Sequence, residues 1–274
     1  MKFVDLFCGI GSFHYSFKRH GWECVMACDI NETARQTYSY NYKMTPLADI
    51  YDIDPSSIEP YDILCAGFPC QAFSRIGKRR GLEDTRGILF YQVMKFITHG
   101  QPLLVILENV PALKNHDNGA TFEHICNLLK EAGYKLDWKI LKCSDYGIPQ
   151  GRKRLFIVAT RDDSSIDLSK VLDCTSYEKE CTLTDFFKMN FRRKYAYTIR
   201  CGGRLSPLND RHNWDGYIVN DTEYRLTIQD ALDLQGFERP FKLLGSVTQQ
   251  WKQVGNTIPT IFTYMISNNI KCLL

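Results

Sequence analysis

The chain has 274 residues, 44% of them hydrophobic, with 34 Lys and Arg set against 31 Asp and Glu. That length and balance suit one globular α/β domain plus a small second one, and they argue against a disordered chain. The net charge of +3 is too small to name a nucleic-acid partner. Local clusters say more: Lys78-Arg79-Arg80, Arg152-Lys153-Arg154 and Arg192-Arg193-Lys194. No uncharged apolar run reaches about 18 residues, so no membrane span is expected. The opening Met1-Lys2-Phe3-Val4-Asp5 carries an acid inside a strand-like run, unlike a signal peptide. The cysteines number 11, an odd count, irregularly spaced and without a CxxC pair. Together with the absence of a His cluster, this predicts reduced, mostly buried thiols in a cytoplasmic protein and no metal site.

Strand and helix patterns alternate over the first 160 residues. Lys2–Phe7 predicts a strand, followed by a Gly-rich turn and a helix over Ser12–His20. Glu23–Cys28 is a second strand ending at Asp29, and Asn31–Tyr40 a second helix. Ile63–Ala66 is a third strand, with Cys70 just beyond it. Leu89, Phe90, Val93, Met94 and Ile97 share one helical face. Leu103–Leu107 is another buried strand, ending in Glu108-Asn109-Val110. Phe122, Ile125, Leu128 and Leu129 mark the next helix, and Leu155–Ala159 the last strand. The alternation predicts a doubly wound, mostly parallel sheet. Ligands of such sheets sit beyond the carboxyl ends of the strands. Gly9, Asp29, Cys70 and Glu108 should therefore line one crevice.

From about Asp162 to Gln250 the alternation fades and turn signals appear at Gly202-Gly203, Asn209-Asp210 and Asp215-Gly216. We read residues 166–250 as a small, partly basic domain, and residues 1–165 plus 251–274 as the main one. In the tail, Ile261, Phe262, Met265, Ile266 and Ile270 form a helical stripe that should pack back onto the main domain.

Four motifs carry chemistry. Gly9-Ile10-Gly11 follows a strand and opens a helix, which suits a nucleoside-type ligand, although many tight strand–helix turns look the same. Position 14 is His rather than the third Gly of the dinucleotide fingerprint. Asp29 ends the second strand, where a carboxylate can hold ribose hydroxyls. Cys70, in Gly67-Phe68-Pro69-Cys70-Gln71, stands on a turn stiffened by Gly and Pro, with Gln71 and Ser74 adding polar groups. It reads as a nucleophile that nearby cations would activate, or else as buried core. Glu108, behind a five-residue apolar run, is a carboxylate in an expensive place. Burial would raise its pKa and make it a proton donor near neutral pH, unless it serves only a salt bridge to Arg152 or Arg154. Asn256, in Gly255-Asn256-Thr257-Ile258-Pro259, either caps the last helix, contacts ligand or brings the tail to the crevice.

In order along the chain, Asp5-Leu6-Phe7-Cys8-Gly9-Ile10-Gly11, Gly67–Ser74, Glu108-Asn109-Val110, Gln150-x-Arg152-x-Arg154, Arg225–Phe237 and Gly255–Pro259 resemble the motifs of the C5-cytosine DNA methyltransferase family. Thr257 and Ile258 stand where that family has Ser and Val. The resemblance runs essentially end to end, and six ordered motifs are far more specific than one. It implies a Rossmann-like methyltransferase domain with a small, irregular target-recognition domain. It implies S-adenosylmethionine at Phe7, Gly9, Gly11, Asp29, Ile30, Asp49, Ile50, Pro69 and Asn256. It implies that Cys70 attacks C6 of a cytosine flipped out of duplex DNA, while Glu108 protonates N3 and Arg154, with Arg152, holds the base and the carboxylate. Gln71, Ser74, Lys78, Arg79, Arg80, Thr198, Gly202, Gly203 and Arg204 are the implied DNA contacts. For Lys78-Arg79-Arg80 a solvated charge run is the plain alternative. Arg192, Arg193, Lys194, Arg200 and Arg211 are further candidates. The segment from Arg161 to Ala196 is short for the family, which leaves the target sequence and the residue filling the gap of the flipped base open. A monomer in a bacterial or phage-infected cell is expected.

The alternative is a tRNA cytosine-C5 methyltransferase of the DNA-methyltransferase-like type. Its Pro-Pro-Cys and Cys-Phe-Thr signatures are missing here. A catalytically silent DNA-binding relative is disfavoured by the intact Cys70, Glu108, Arg152 and Arg154. A nicotinamide oxidoreductase is disfavoured by the missing third Gly.

Overall fold

A computed structural model describes residues 1–69 and 88–274. The expectations for Cys70, Gln71, Ser74, Lys78, Arg79 and Arg80 lie outside those residues. Six described strands form one sheet: β1 (Lys2–Leu6), β2 (Glu23–Cys28), β3 (Ile63–Ala66), β4 (Leu104–Asn109), β5 (Tyr134–Lys142) and β6 (Lys153–Arg161). Their order is β2-β1-β3-β4-β6-β5. Strands β2, β1, β3 and β4 run parallel, and β6 lies antiparallel to both β4 and β5. The mostly parallel, doubly wound sheet expected from the alternation is the one observed.

Central strands in such a sheet are covered on both faces, and Ile63-Leu64-Cys65-Ala66 is fully buried. Successive side chains feed opposite cores. Val4, Leu64, Val105 and Leu107 enter one core with α3 (Ile88–Gly100) and α4 (Ala120–Glu131). Phe3, Ile63, Ile106 and Phe156 enter the other with α1 (Ser12–Phe17), α5 (Leu168–Val171) and α9 (Thr260–Leu273). The stripe Phe262, Met265, Ile266 and Ile270 is thus what ties the tail back to the sheet.

A third core gathers Leu183 of α6 (Leu183–Phe187), Tyr217 and Val219 of β7 (Gly216–Val219), Leu232 and Leu234 of α7 (Ile228–Leu234), and Trp251 of α8 (Val247–Asn256). Strand β7 pairs with β8 (Thr222–Arg225), and its Val219 also bridges to Phe191. Ile10, Tyr15 and Ala34 of the main sheet's flank belong to the same core. The irregular part of the chain therefore packs directly behind the G-x-G turn. No helix among the described residues is long and apolar enough to cross a membrane.

Three expectations need correction. Glu108 does not lie beyond its strand: β4 continues through Asn109 because Glu108 and Asn109 pair with Phe156 and Leu155 of β6. Asn256 does not cap the last helix. It ends α8, an element the sequence reading missed, and Pro259 precedes α9 without a side-chain cap. Strand β5 was also missed. Its signal was present: Tyr134, Leu136, Trp138 and Ile140 alternate with Lys135, Asp137 and Lys139, as suits an edge strand with one half-exposed face.

Candidate active site

The turn after β1 is built from backbone conformations that few residues tolerate. Phe7, Gly9 and Gly11 all have positive φ, at 57°, 54° and 85°. A Cβ on Gly9 would meet nothing within 4 Å, so the space above it is open. A Cβ on Gly11 would strike the Tyr42 ring at 2.4 Å, so only glycine lets α2 (Glu32–Tyr42) pack here. Asp29 Oδ2 accepts from the Gly9 amide at 2.7 Å, and its Oδ1 accepts from Asn31 at 2.8 Å. Burial still pushes the Asp29 carboxyl above its ordinary range. The Asp29 amide bonds the Leu47 carbonyl at 3.0 Å, which lays the 47–50 segment beside the end of β2. There Asp49 caps a short turn by accepting from Tyr51, and Ile50 is buried in the core. Ile30, in contrast, is 76% exposed beside Asp29.

A cavity opens at the carboxyl ends of β1, β3 and β4. Asp5, Phe7, Gly9, Gly67, Glu108 and Asn256 line it. Sequence reading placed Phe7, Gly9, Glu108 and Asn256 here, and the structure brings them together. It missed the role of Asp5, which is 1% exposed. The His14 amide, in the first turn of α1, faces the Asp5 carboxyl and favours its charged form. Asp5 Oδ2 has no hydrogen-bond partner among the described residues. Burial, with Asp29 nearby, pushes the Asp5 carboxyl well above its usual range.

Glu108 sits at the opposite wall. Arg154 Nε lies 2.7 Å from its Oε1, and both side chains are nearly buried. Burial raises the Glu108 pKa, while Arg154 and then Arg152 pull it back. Glu108 thus makes the salt bridge, and its carboxyl is shifted toward the protonated form. Arg152 is used differently. It is 1% exposed and donates to the carbonyls of Ile199 at 2.9 Å, Gly255 at 3.0 Å and Thr257 at 2.8 Å. It makes no described hydrogen bond to Glu108. The expected grip of Arg152 on the carboxylate is replaced by a tie between three backbone segments, which neutralises three buried carbonyls with one cation.

Asn109 is a second residue the sequence reading left without a role. Its Nδ2 donates to the Phe68 carbonyl at 2.8 Å, holding the strand exit that leads to Cys70. A Cβ on Gly67 would sit 3.5 Å from Glu108 Oε2, so the same exit runs against the carboxylate. The signal was present, since Asn109 belongs to the Glu-Asn-Val motif. Every described cysteine for which a shift is resolved, Cys8 in the cavity wall included, has its thiol pKa raised, chiefly by burial. Such thiols are poor nucleophiles.

The expected DNA contacts in the irregular part of the chain fall close to this site. Backbone of Arg200 and Cys201 crosses Gly255 so closely that a Cβ there would sit 2.6 Å from both. The Cys201 thiol lies 2.7 Å from Asn256 Oδ1. Thr198 is half-buried, and Gly202 and Gly203 are exposed. Arg204 is not free: its guanidinium stacks 4.2 Å from the Trp251 ring centre and faces Asp215 at 3.6 Å. Arg192 is paired with Asp221 and Lys194 with Glu180, whereas Arg200 and Arg211 are exposed.

Comparison with known proteins agrees with this geometry. Residues 1–200 match the model of the C-5 cytosine-specific DNA methylase family. The chain is 35% identical to the type II methyltransferase M.DsaV of Dactylococcopsis salina, over 94% of this chain and 82% of that one. It is 30% identical to M.HhaI of Haemophilus parahaemolyticus, over 98% and 94%. The fold superposes on the Dnmt2 methyltransferase of S. pombe with a TM-score of 0.75, covering 100% of this chain and 99% of that one at 18% identity. The chain belongs to the C-5 cytosine-specific DNA methylase family.

Proposed function

We propose that this enzyme methylates C5 of a flipped-out cytosine within a short duplex DNA sequence, through a covalent bond between Cys70 and C6. The observation that carries this reading is the buried Glu108–Arg154 pair in the wall of the cavity that also holds the G-x-G turn. The residues fit S-adenosylmethionine, a cationic nucleoside. Asp29 offers a carboxylate for ribose hydroxyls, Gly9 leaves open space, and the unpartnered Oδ2 of Asp5 offers an acceptor that a cationic group would draw into its charged form. No Lys or Arg is among the described lining residues. When bound, the cofactor supplies an electrophilic methyl group.

The chain's own residues solve the remaining problem, which is that C5 of cytosine is a poor nucleophile. The Cys70 thiolate adds to C6 while Glu108 delivers a proton to N3, and the ring then carries electron density at C5. Burial shifts Glu108 toward the protonated form that such a transfer needs, and Arg154 aims the carboxyl. After methylation at C5, water takes the C5 proton, the C6–S bond breaks to release the Cys70 thiolate, and N3 returns its proton to Glu108, which restores the aromatic ring. Arg152 positions rather than reacts. We also propose that residues within 166–250 read the target, and that the enzyme works as a monomer in the cytoplasm of a bacterial or phage-infected cell.

The test is transfer of labelled methyl from S-adenosylmethionine to plasmid DNA, followed by bisulfite sequencing of the product. Cys70→Ala should transfer none. Methylation of tRNA with no duplex DNA modified would defeat the proposal, as would an active Cys70→Ala protein.

A further inference from the structure

Leu205 is exposed where an apolar residue is costly twice over. It is 67% exposed, and its φ is +65°. Among the described large apolar side chains that are exposed, it alone has left-handed backbone. A turn that needed only this conformation would be better served by Gly or Asn. The surroundings nevertheless hold the loop firmly. Both oxygens of Asp215 accept from the Leu205 amide, at 3.2 and 3.3 Å, and Asp215 is fully buried. Arg225 braces Asp215 at 3.2 Å and also donates to the Ser206 carbonyl at 2.9 Å. Trp214 Nε1 donates to the Gly202 carbonyl at 2.9 Å. A loop anchored on both sides thus presents one leucine to solvent, and strain of this kind marks functional positions.

The loop starts at the catalytic cavity. Cys201 touches Asn256 in the cavity wall, and Leu205 follows four residues later. Four residues span at most about 14 Å, or roughly four base-pair steps. We infer that Leu205 enters the DNA stack beside the target and occupies the space vacated by the extruded cytosine. This rests on the duplex-DNA reading above. Apolar wedges between base steps are a general means of holding DNA open. Arg200 and Arg211, both exposed near this loop in sequence, would take the flanking phosphates.

The experiment uses full-length protein and a duplex carrying the sequence located by bisulfite sequencing. A second duplex has an abasic site opposite the target cytosine, so that the cytosine is already unpaired. Leu205→Asn keeps the left-handed backbone and its amide anchors but removes the apolar bulk. Its single-turnover methyl transfer on the paired duplex should fall about 10- to 100-fold, and the loss should shrink to within about threefold on the abasic duplex. Fluorescence of 2-aminopurine at the target position should show less extrusion with Leu205→Asn, and Leu205→Met should restore it. Equal rates of Leu205→Asn and wild type on the paired duplex would overturn the assignment, and so would an equal loss on both duplexes. A wild-type protein that methylates no duplex overturns the DNA reading itself and the wedge with it.

Discussion

Arg154 Nε and Glu108 Oε1 lie 2.7 Å apart in a site that has little solvent contact. Glu108→Gln keeps the shape and removes the proton. Its turnover should fall about 10²- to 10⁴-fold while DNA binding is retained, as read by single-turnover transfer and gel shift. Arg154→Gln removes the largest influence holding the Glu108 pKa down, so the ionisation of Glu108 should move to still higher pH. A raised carboxyl stabilises the fold below its ordinary pKa, and that contribution fades as pH rises through the raised value. Arg154→Gln should therefore lose more stability than wild type as pH rises above the ordinary carboxylate range, in thermal melts across a pH series.

Arg152 joins Ile199, Gly255 and Thr257 through one guanidinium. Lysine carries the same charge but not the planar fork. Arg152→Lys should cost about 3 kcal/mol in urea unfolding, from the loss of charged hydrogen bonds to buried carbonyls. It should also weaken S-adenosylmethionine binding, because two of the three carbonyls flank Asn256 in the cavity wall. Unchanged cofactor affinity would confine Arg152 to a structural role.

The parts of the fold that could be read from sequence are those where local pattern and burial coincide. Ile63–Ala66 and Glu23–Cys28 were placed at their observed limits because apolar runs between turns have few other homes. Strand β5 was legible as well, since Lys135, Asp137 and Lys139 alternate with Tyr134, Leu136, Trp138 and Ile140, and the reading overlooked it. Helix α8 escaped because Gln249, Gln250, Lys252 and Gln253 dominate it, although Gln253 is buried by tertiary packing. At the site, Glu108 was legible because a carboxylate after a buried run is costly wherever it points. The carbonyl partners of Arg152 lie 47 to 105 residues away, and no local pattern announces them. The orphaned oxygen of Asp5 is likewise a product of the packing around it.

His14 makes a buried contact that acid should break. Its Nδ1 lies 2.6 Å from the Tyr38 hydroxyl, and its ring stacks on Tyr42. Burial, with Lys18 nearby, lowers its pKa to about 4. A depressed histidine pKa means the neutral form is favoured on folding, so this stability is present above about pH 6.5 and is lost as pH falls toward 4. The size is on the order of 2–3 kcal/mol. Asp5 and Asp29, with raised pKa values, act with the opposite sign on acidification, so the informative quantity is a difference between proteins. The fall in melting temperature from pH 7 to pH 4.5 should be smaller for His14→Gln than for wild type. An identical fall in both would show that His14 is not a source of acid sensitivity.

Asp5 supplies the last prediction, which concerns the cofactor rather than the reaction. Its unpartnered Oδ2 lies in the part of the cavity wall formed by β1, whereas Glu108 is on β4, two strands away. The positive group that suits Asp5 is the α-ammonium of the methionine end, not the sulfonium. Asp5→Asn keeps the size of the side chain and removes its capacity to ionise beside a cation. Calorimetry should then show S-adenosylmethionine and S-adenosylhomocysteine weakened together, by about 10-fold, the scale of one charged hydrogen bond. 5′-Methylthioadenosine, which has no ammonium, should bind the two proteins alike. If 5′-methylthioadenosine weakened as much as the others, the carboxylate would be acting through the shape of the cavity and not through its charge.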